Sequence, residues 1–122
     1  MILGIFPWCF TPEMYAERPE YVAGLEDFVR GRPAQPLEAF LAQCRAVIDH
    51  DAADALGDID APTLITFGRR DLCTSTRFAD ALTDGIDDTT LVVFDDLCHA
   101  GLHEDPETFN AASLDFLIRH RA

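Results

Sequence analysis

The sequence contains no lysine: all nine basic residues are arginine, against 22 acidic ones, for a net charge of -13. A surface this acidic repels nucleic acid and anionic membranes, so neither is expected as a partner. Two accounts fit the imbalance. One is a genome that favours arginine codons; the other is a high-salt cytoplasm, where dissolved ions screen the self-repulsion. Long apolar runs are also missing. Stretches such as Leu91-Val92-Val93-Phe94 are far too short to cross a bilayer. The apolar start, Met1 to Pro7, lacks a basic n-region and a small-residue cleavage site, so it does not read as a signal peptide. A soluble, cytoplasmic protein is the expectation. No C-x-x-C pair occurs among the four cysteines, Cys9, Cys44, Cys73 and Cys98. Their irregular spacing, without secretory context, points to reduced thiols and argues against a structural zinc site. Internal repeats and low-complexity segments are absent too.

What is there is ordinary globular chemistry. Hydrophobic residues make up 48% and charged residues 25%, which excludes a disordered chain. A length of 122 residues suits one hydrophobic core rather than two.

Residues 1–60 read as helical. Thr11-Pro12-Glu13 is a helix start, with a capping threonine, proline in the first turn and an acid at the positive end of the dipole. Pro19-Glu20 opens a second segment, in which Val22, Leu25, Phe28 and Val29 recur at helical spacing up to Gly31. After a break at Arg32 to Pro36, Leu37, Phe40, Leu41, Cys44, Val47 and Ile48 form an apolar stripe. An acidic connection follows from Asp54 to Asp60.

From Ala61 the period changes. Pro62 to Phe67 is a short run closed by Gly68 and reads as a buried strand. Ser75 to Ile86 is helical in spacing, Thr89 to Phe94 is a second strand, and Asp95 to Glu104 is a loop. Asp105-Pro106-Glu107 opens a last helix, whose end carries Arg119, His120 and Arg121. Strand, helix, strand, helix implies a parallel pair with a crossover.

Ligands of open α/β sheets bind beyond the C-terminal strand ends. Two loops meet that description: Gly68-Arg69-Arg70-Asp71, and Asp95 to Gly101 containing Cys98-His99. Parallel neighbouring strands set these loops side by side, which brings Asp71 within reach of His99. A carboxylate so placed holds the imidazole in one tautomer and stabilises its protonated form.

Taken together, Pro62 to Phe67, Gly68-x-x-Asp71, Leu91 to Phe94, His99-Ala100-Gly101 and Glu104-Asp105-Pro106-Glu107 resemble the end of an α/β-hydrolase fold. The resemblance implies a partial α/β-hydrolase fold: a helical cap-like segment at 1–60, then a β-α-β-α part of the core at 61–122. It also implies that Asp71 is the acid and His99 the base of a triad whose order along the chain is Ser, Asp, His. The stretch Asp49-His50-Asp51 leading to Asp58-Ile59-Asp60-Ala61-Pro62 is similar to the cap's return in esterase- and enol-lactonase-like members, with aryl and peroxidase-like members as alternatives. A small ester or lactone is the implied substrate, with no cofactor and no metal.

The sequence departs from the family at one point. No Gly-x-Ser-x-Gly occurs in these residues, and Ser75 and Ser113 lie in helical contexts without flanking glycines. An acid and base alone contribute little without a nucleophile and an oxyanion hole. The isolated chain is therefore expected to be inactive. A non-catalytic role is the alternative: a module that pairs its open sheet edge with a second copy or with a complementing N-terminal chain.

Simpler readings stand beside each candidate. Asp71 also suits a turn residue capping the next helix, and His99 a surface-loop histidine. His103 reads as a solvated neighbour, and His50 and His120 as helix-end residues. Cys73 and Cys98, close to Asp71 and His99, raise a thiol nucleophile or a metal site, against small buried cysteines. Phe6, Trp8, Phe10 and Tyr15 suit either an acyl pocket or plain core packing. Arg69 and Arg70 suit a substrate carboxylate or a solvated charge pair.

Overall fold

In the computed structural model, residues 4–121 are described. The first three residues of the apolar start therefore lie outside the described residues. The N-terminal half is helical: α1 (Phe6–Cys9), α2 (Pro12–Glu17), α3 (Pro19–Arg30) and α4 (Leu37–Ile48), then a 3-10 turn at Ala53–Asp58. Thr11 caps α2 as its sequence suggests, its side chain accepting from Met14 N–H. Pro12 and Pro19 both sit in first turns, where the missing N–H costs nothing.

The second half is a parallel pair. β1 (Thr63–Gly68) lies beside β2 (Thr89–Phe94), in a register running from Thr63 against Thr89 to Gly68 against Phe94. A 3-10 turn at Thr76–Phe78 and helix α5 (Ala79–Gly85) cross between them. The Ser75 to Ile86 segment is thus split rather than one α-helix. A short helix, α6 (Gly101–Glu104), interrupts the loop after β2, and α7 (Pro106–Arg119) follows. Asp105 caps α7 by accepting from Thr108 N–H at 3.0 Å.

Alternation along the strands decides which helix covers which face. Ile65 and Phe67 point one way and pack on Ala79 and Leu82 of α5. Phe94 points the other way, onto Phe109 of α7, with ring centroids 5.8 Å apart. The two helices therefore flank opposite faces of the sheet. A separate apolar cluster joins Phe10, Met14 and Val22 with Phe6, Cys9, Tyr15, Leu25 and Ala100. Through it α1 to α3 pack onto the loop that follows β2. Phe6, Phe10 and Tyr15 are core residues here, while Trp8 is exposed.

Helix α4 differs. None of its residues is buried, and Leu37, Val47 and Ile48 are 70%, 77% and 79% exposed. Its apolar stripe faces solvent in this chain. No helix of the described residues is long and apolar enough to cross a membrane.

Candidate active site

Two loops at the C-terminal ends of β1 and β2 meet through a glycine. A Cβ built on Gly68 would collide with the main-chain carbonyls of Leu97 and Cys98. Only glycine lets the second loop pass this close to the end of the first strand. Main-chain bonds then lock the loops together: Arg69 N–H donates to Phe94 O at 2.9 Å and Arg70 N–H to Leu97 O at 3.0 Å.

This contact brings Asp71 and His99 together. Nδ1 of His99 lies 3.0 Å from Oδ2 of Asp71, across 28 positions of sequence. Asp71 is buried at 5% exposure, whereas the His99 side chain is 42% exposed. A carboxylate only accepts, so the shared proton belongs to Nδ1, and Nε2 is left as the basic nitrogen.

Asp71 is held from several sides. Oδ1 accepts from the main-chain N–H of Cys73 at 2.7 Å and of Thr74 at 2.9 Å. Oδ2 accepts from Thr74 Oγ1 at 2.9 Å as well as from His99. Burial pushes the Asp71 carboxyl up, but the hydrogen bonds from Thr74, His99 and Cys73 outweigh it and hold the group below the ordinary carboxylate value. Asp71 is thus both the cap of its own turn and the partner of His99. It does not cap the next helix, however: the N–H groups it accepts from belong to the turn at Cys73 and Thr74, and neither the 3-10 turn at Thr76–Phe78 nor α5 has a side-chain cap. Thr74, whose hydroxyl also lies 3.3 Å from His99 Nδ1, is a positioning residue that the sequence reading missed. The signal was a hydroxyl residue three places after an aspartate that closes a turn.

The His99 loop is anchored by a second residue missed as a single position. Glu104 accepts from Cys98 N–H through Oε2 and from Thr11 N–H through Oε1, each at 2.6 Å. Its carboxylate therefore ties the N-terminal helices to the loop on which His99 sits. Ala100 N–H adds a bond to Cys9 O at 2.8 Å.

His103 is half-buried rather than freely solvated. Its Nδ1 lies 2.8 Å from the Tyr21 hydroxyl, and its ring meets Phe10 edge-on. From α6 it joins Tyr21 of α3 to the loop that follows β2. His50 follows α4 and is exposed, and His120 ends α7, stacked on Phe116. Arg69 pairs with Asp95, and Arg70 with Glu13 at 2.7 Å, all four side chains being largely solvated. Ser75 precedes the turn before α5, and Ser113 spends its hydroxyl on Phe109 O within α7.

Three thiols surround the pair. Cys98 is buried and donates to the carbonyls of Trp8 and Arg70 at 3.4 and 3.3 Å. Burial raises its pKa. Burial and the neighbouring Cys73 thiol push Cys9 up to about 11. Cys73 itself is exposed. Among the described residues, Asp71, Cys73 and His99 form the group able to offer donor atoms to a metal, all within 4.8 Å of one another.

A cavity of about 120 Å³ lies between the two loops, walled by Asp71, Thr74, His99, Phe94 and Phe109. It is too small for a drug-sized ligand, which takes roughly 300 Å³ or more. On the other side of Thr74 an open, mainly apolar cleft of about 600 Å³ is lined by Leu56, Phe67, Phe78 and Leu82.

No family model matches the chain. It is similar to a proline iminopeptidase of Thermoplasma volcanium, a protein of an α/β-hydrolase family, at 36% identity over 72 residues. The match covers 59% of this chain and 24% of that relative, so the chain spans about a quarter of the length of the protein it matches. The comparison supports a relative with the hydrolase fold.

Proposed function

We propose that this chain supplies the acid–base half of a serine-hydrolase-type site. The carrying observation is the 3.0 Å contact between Asp71 and His99 on adjacent C-terminal strand ends. Nε2 of His99 takes the proton of a nucleophile and later returns it to the leaving group, while Asp71 offsets the charge of the imidazolium. The nucleophile comes from a Gly-x-Ser-x-Gly segment outside these 122 residues. The substrate is a small acyl compound: an ester or a lactone, or, as the name of the relative suggests, a prolyl amide. The open apolar cleft beyond Thr74 offers the acyl group its volume.

The test compares two proteins on p-nitrophenyl esters, a lactone and prolyl p-nitroanilide. One is the 122-residue chain; the other adds the sequence encoded directly upstream of it. The chain alone is expected to show no turnover. The longer protein is expected to turn over one of these substrates and to lose at least a hundredfold with His99→Ala. Turnover indifferent to His99 would sink the reading.

A second reading is favoured by α4, whose apolar stripe is solvent-facing. In it the chain is a pairing module that covers this stripe and the outer edge of β1 with a second copy or a complementing N-terminal chain. Light scattering on the wild type and on Val47→Asp tests it. Association that the substitution weakens supports the module, and a monomer in both cases counts against it.

A further inference from the structure

We infer that Asp71, Cys73 and His99 form a binding site for a thiophilic divalent cation of the zinc class. This does not rest on the acid–base reading, because it concerns the 122 residues as they stand.

The geometry carries it. The three donor atoms, a carboxylate oxygen, a thiol sulfur and an imidazole nitrogen, already lie within 4.8 Å of one another. Tetrahedral zinc holds its ligands at about 2.0–2.3 Å, which places neighbouring donor atoms roughly 3.3–3.8 Å apart. Asp71 and His99 are closer than that and Cys73 no farther than 4.8 Å, so a small adjustment satisfies all three. The parts that must move are able to. Cys73 and His99 are exposed, while Asp71 is buried and fixed by the N–H groups of Cys73 and Thr74.

Asp71 and Cys73 also belong to one turn, in which Cys73 N–H donates to Asp71 Oδ1. Two of the three ligands are therefore preorganised by local structure, and the third arrives through the Gly68 contact. Neither nearby guanidinium competes for the site, since Arg69 is paired with Asp95 and Arg70 with Glu13. Cys98 is buried and donates to the carbonyls of Trp8 and Arg70; the exposed Cys73 thiol also reaches the Trp8 carbonyl, at 3.5 Å, and gives up that single contact when it binds the cation. Three protein ligands leave a fourth position to water. Sulfur and imidazole donors favour zinc over calcium or magnesium, which prefer oxygen alone.

Binding releases the thiol proton of Cys73 to solvent and occupies one imidazole nitrogen. No oxidation takes place. A cation held there withdraws His99 from acid–base work, so metal and catalytic use of the pair are mutually exclusive.

The experiment titrates the chelator-treated chain with Co²⁺, then Zn²⁺, in a phosphine reductant. One equivalent of Co²⁺ is expected to give a thiolate-to-cobalt charge-transfer band in the near ultraviolet, bleached by one equivalent of Zn²⁺. Cys73→Ser should remove the band and weaken Zn²⁺ binding at least tenfold. His99→Ala should weaken binding similarly but keep a thiolate band, and Cys44→Ser should change neither. Apo melting temperatures verify that each variant folds. Absence of saturation at one equivalent in the wild type overturns the site, as does a band or a zinc affinity that survives Cys73→Ser. Either result leaves the acid–base reading to its own activity test.

Discussion

The α-carbon of Gly68 faces the main-chain carbonyl of Leu97 so closely that no side chain fits between them. The end of β1 and the loop carrying His99 are in contact because of this. The obstacle is backbone, which cannot swing aside as a flexible side chain would. Gly68→Ala is therefore expected to destabilise the fold by about 2–3 kcal/mol, read as a lower urea midpoint. The same change should push His99 away from Asp71, visible as altered His99 imidazole signals in NMR spectra.

Asp71 makes the fold acid-sensitive. Its folded pKa is lower than its unfolded one, so the ionised form stabilises the fold. That stability is complete above the unfolded carboxylate value of about 3.9 and fades as pH falls through the lower folded value. Asp71→Asn is expected to cost about 1–3 kcal/mol near neutral pH, since the amide cannot accept from all four donors. It should also flatten the loss of stability below about pH 4. Urea midpoints of both proteins across the acid range check this. Parallel curves would show that another carboxylate governs the transition.

Glu104 joins two segments with one carboxylate. Glu104→Ala leaves the N–H groups of Cys98 and Thr11 without their acceptor. A loss of about 1–3 kcal/mol is expected. Hydrogen exchange should quicken at Thr11 and Cys98 before it quickens in the strands. Unchanged exchange at both amides would show that Glu104 is not the tie.

Cys9 gives an alkaline limit. Its pKa is raised from the ordinary 9.0 to about 11, so the fold favours the neutral thiol. The stability it contributes is intact below 9.0 and is lost as pH rises through about 11. Cys9→Ser, which does not titrate there, should soften that alkaline decline. Melting temperatures of the two proteins over the range decide it.

Tyr15 offers the opposite kind of test. Its hydroxyl is buried and has no hydrogen-bond partner among the described residues. Tyr15→Phe removes only that oxygen, so it is expected to be neutral or to stabilise by up to about 1 kcal/mol. A clear fall in the melting temperature would reveal an unseen partner for the hydroxyl.

Local chemistry made much of this molecule legible in advance. Thr11 and Asp105 announce helix starts because a side-chain oxygen three residues ahead of an unpaired N–H is a short-range interaction. The strand at Thr89–Phe94 shows in its apolar, β-branched run, and the turn at Gly68 in its glycine. The single-turn helix α6 and the split before α5 were harder to see. Runs that short carry barely one period of pattern, so nothing in their composition separates them from loops.

What the sequence determined by itself was which residue types stand at two strand ends: an aspartate after one, a histidine after the other, and no Gly-x-Ser-x-Gly beside them. Only the tertiary structure decided that Asp71 and His99 meet at 3.0 Å, that Thr74 and Glu104 hold them there, and that Cys73 completes a three-donor cluster. It also decided that the stripe of α4, more apolar on paper than the one carrying Val22, stays in solvent. The reason is range. Caps, turns and periods act over a few residues and are written in neighbouring letters. A contact across 28 positions depends on strand register and on the room one glycine leaves, which no local pattern encodes.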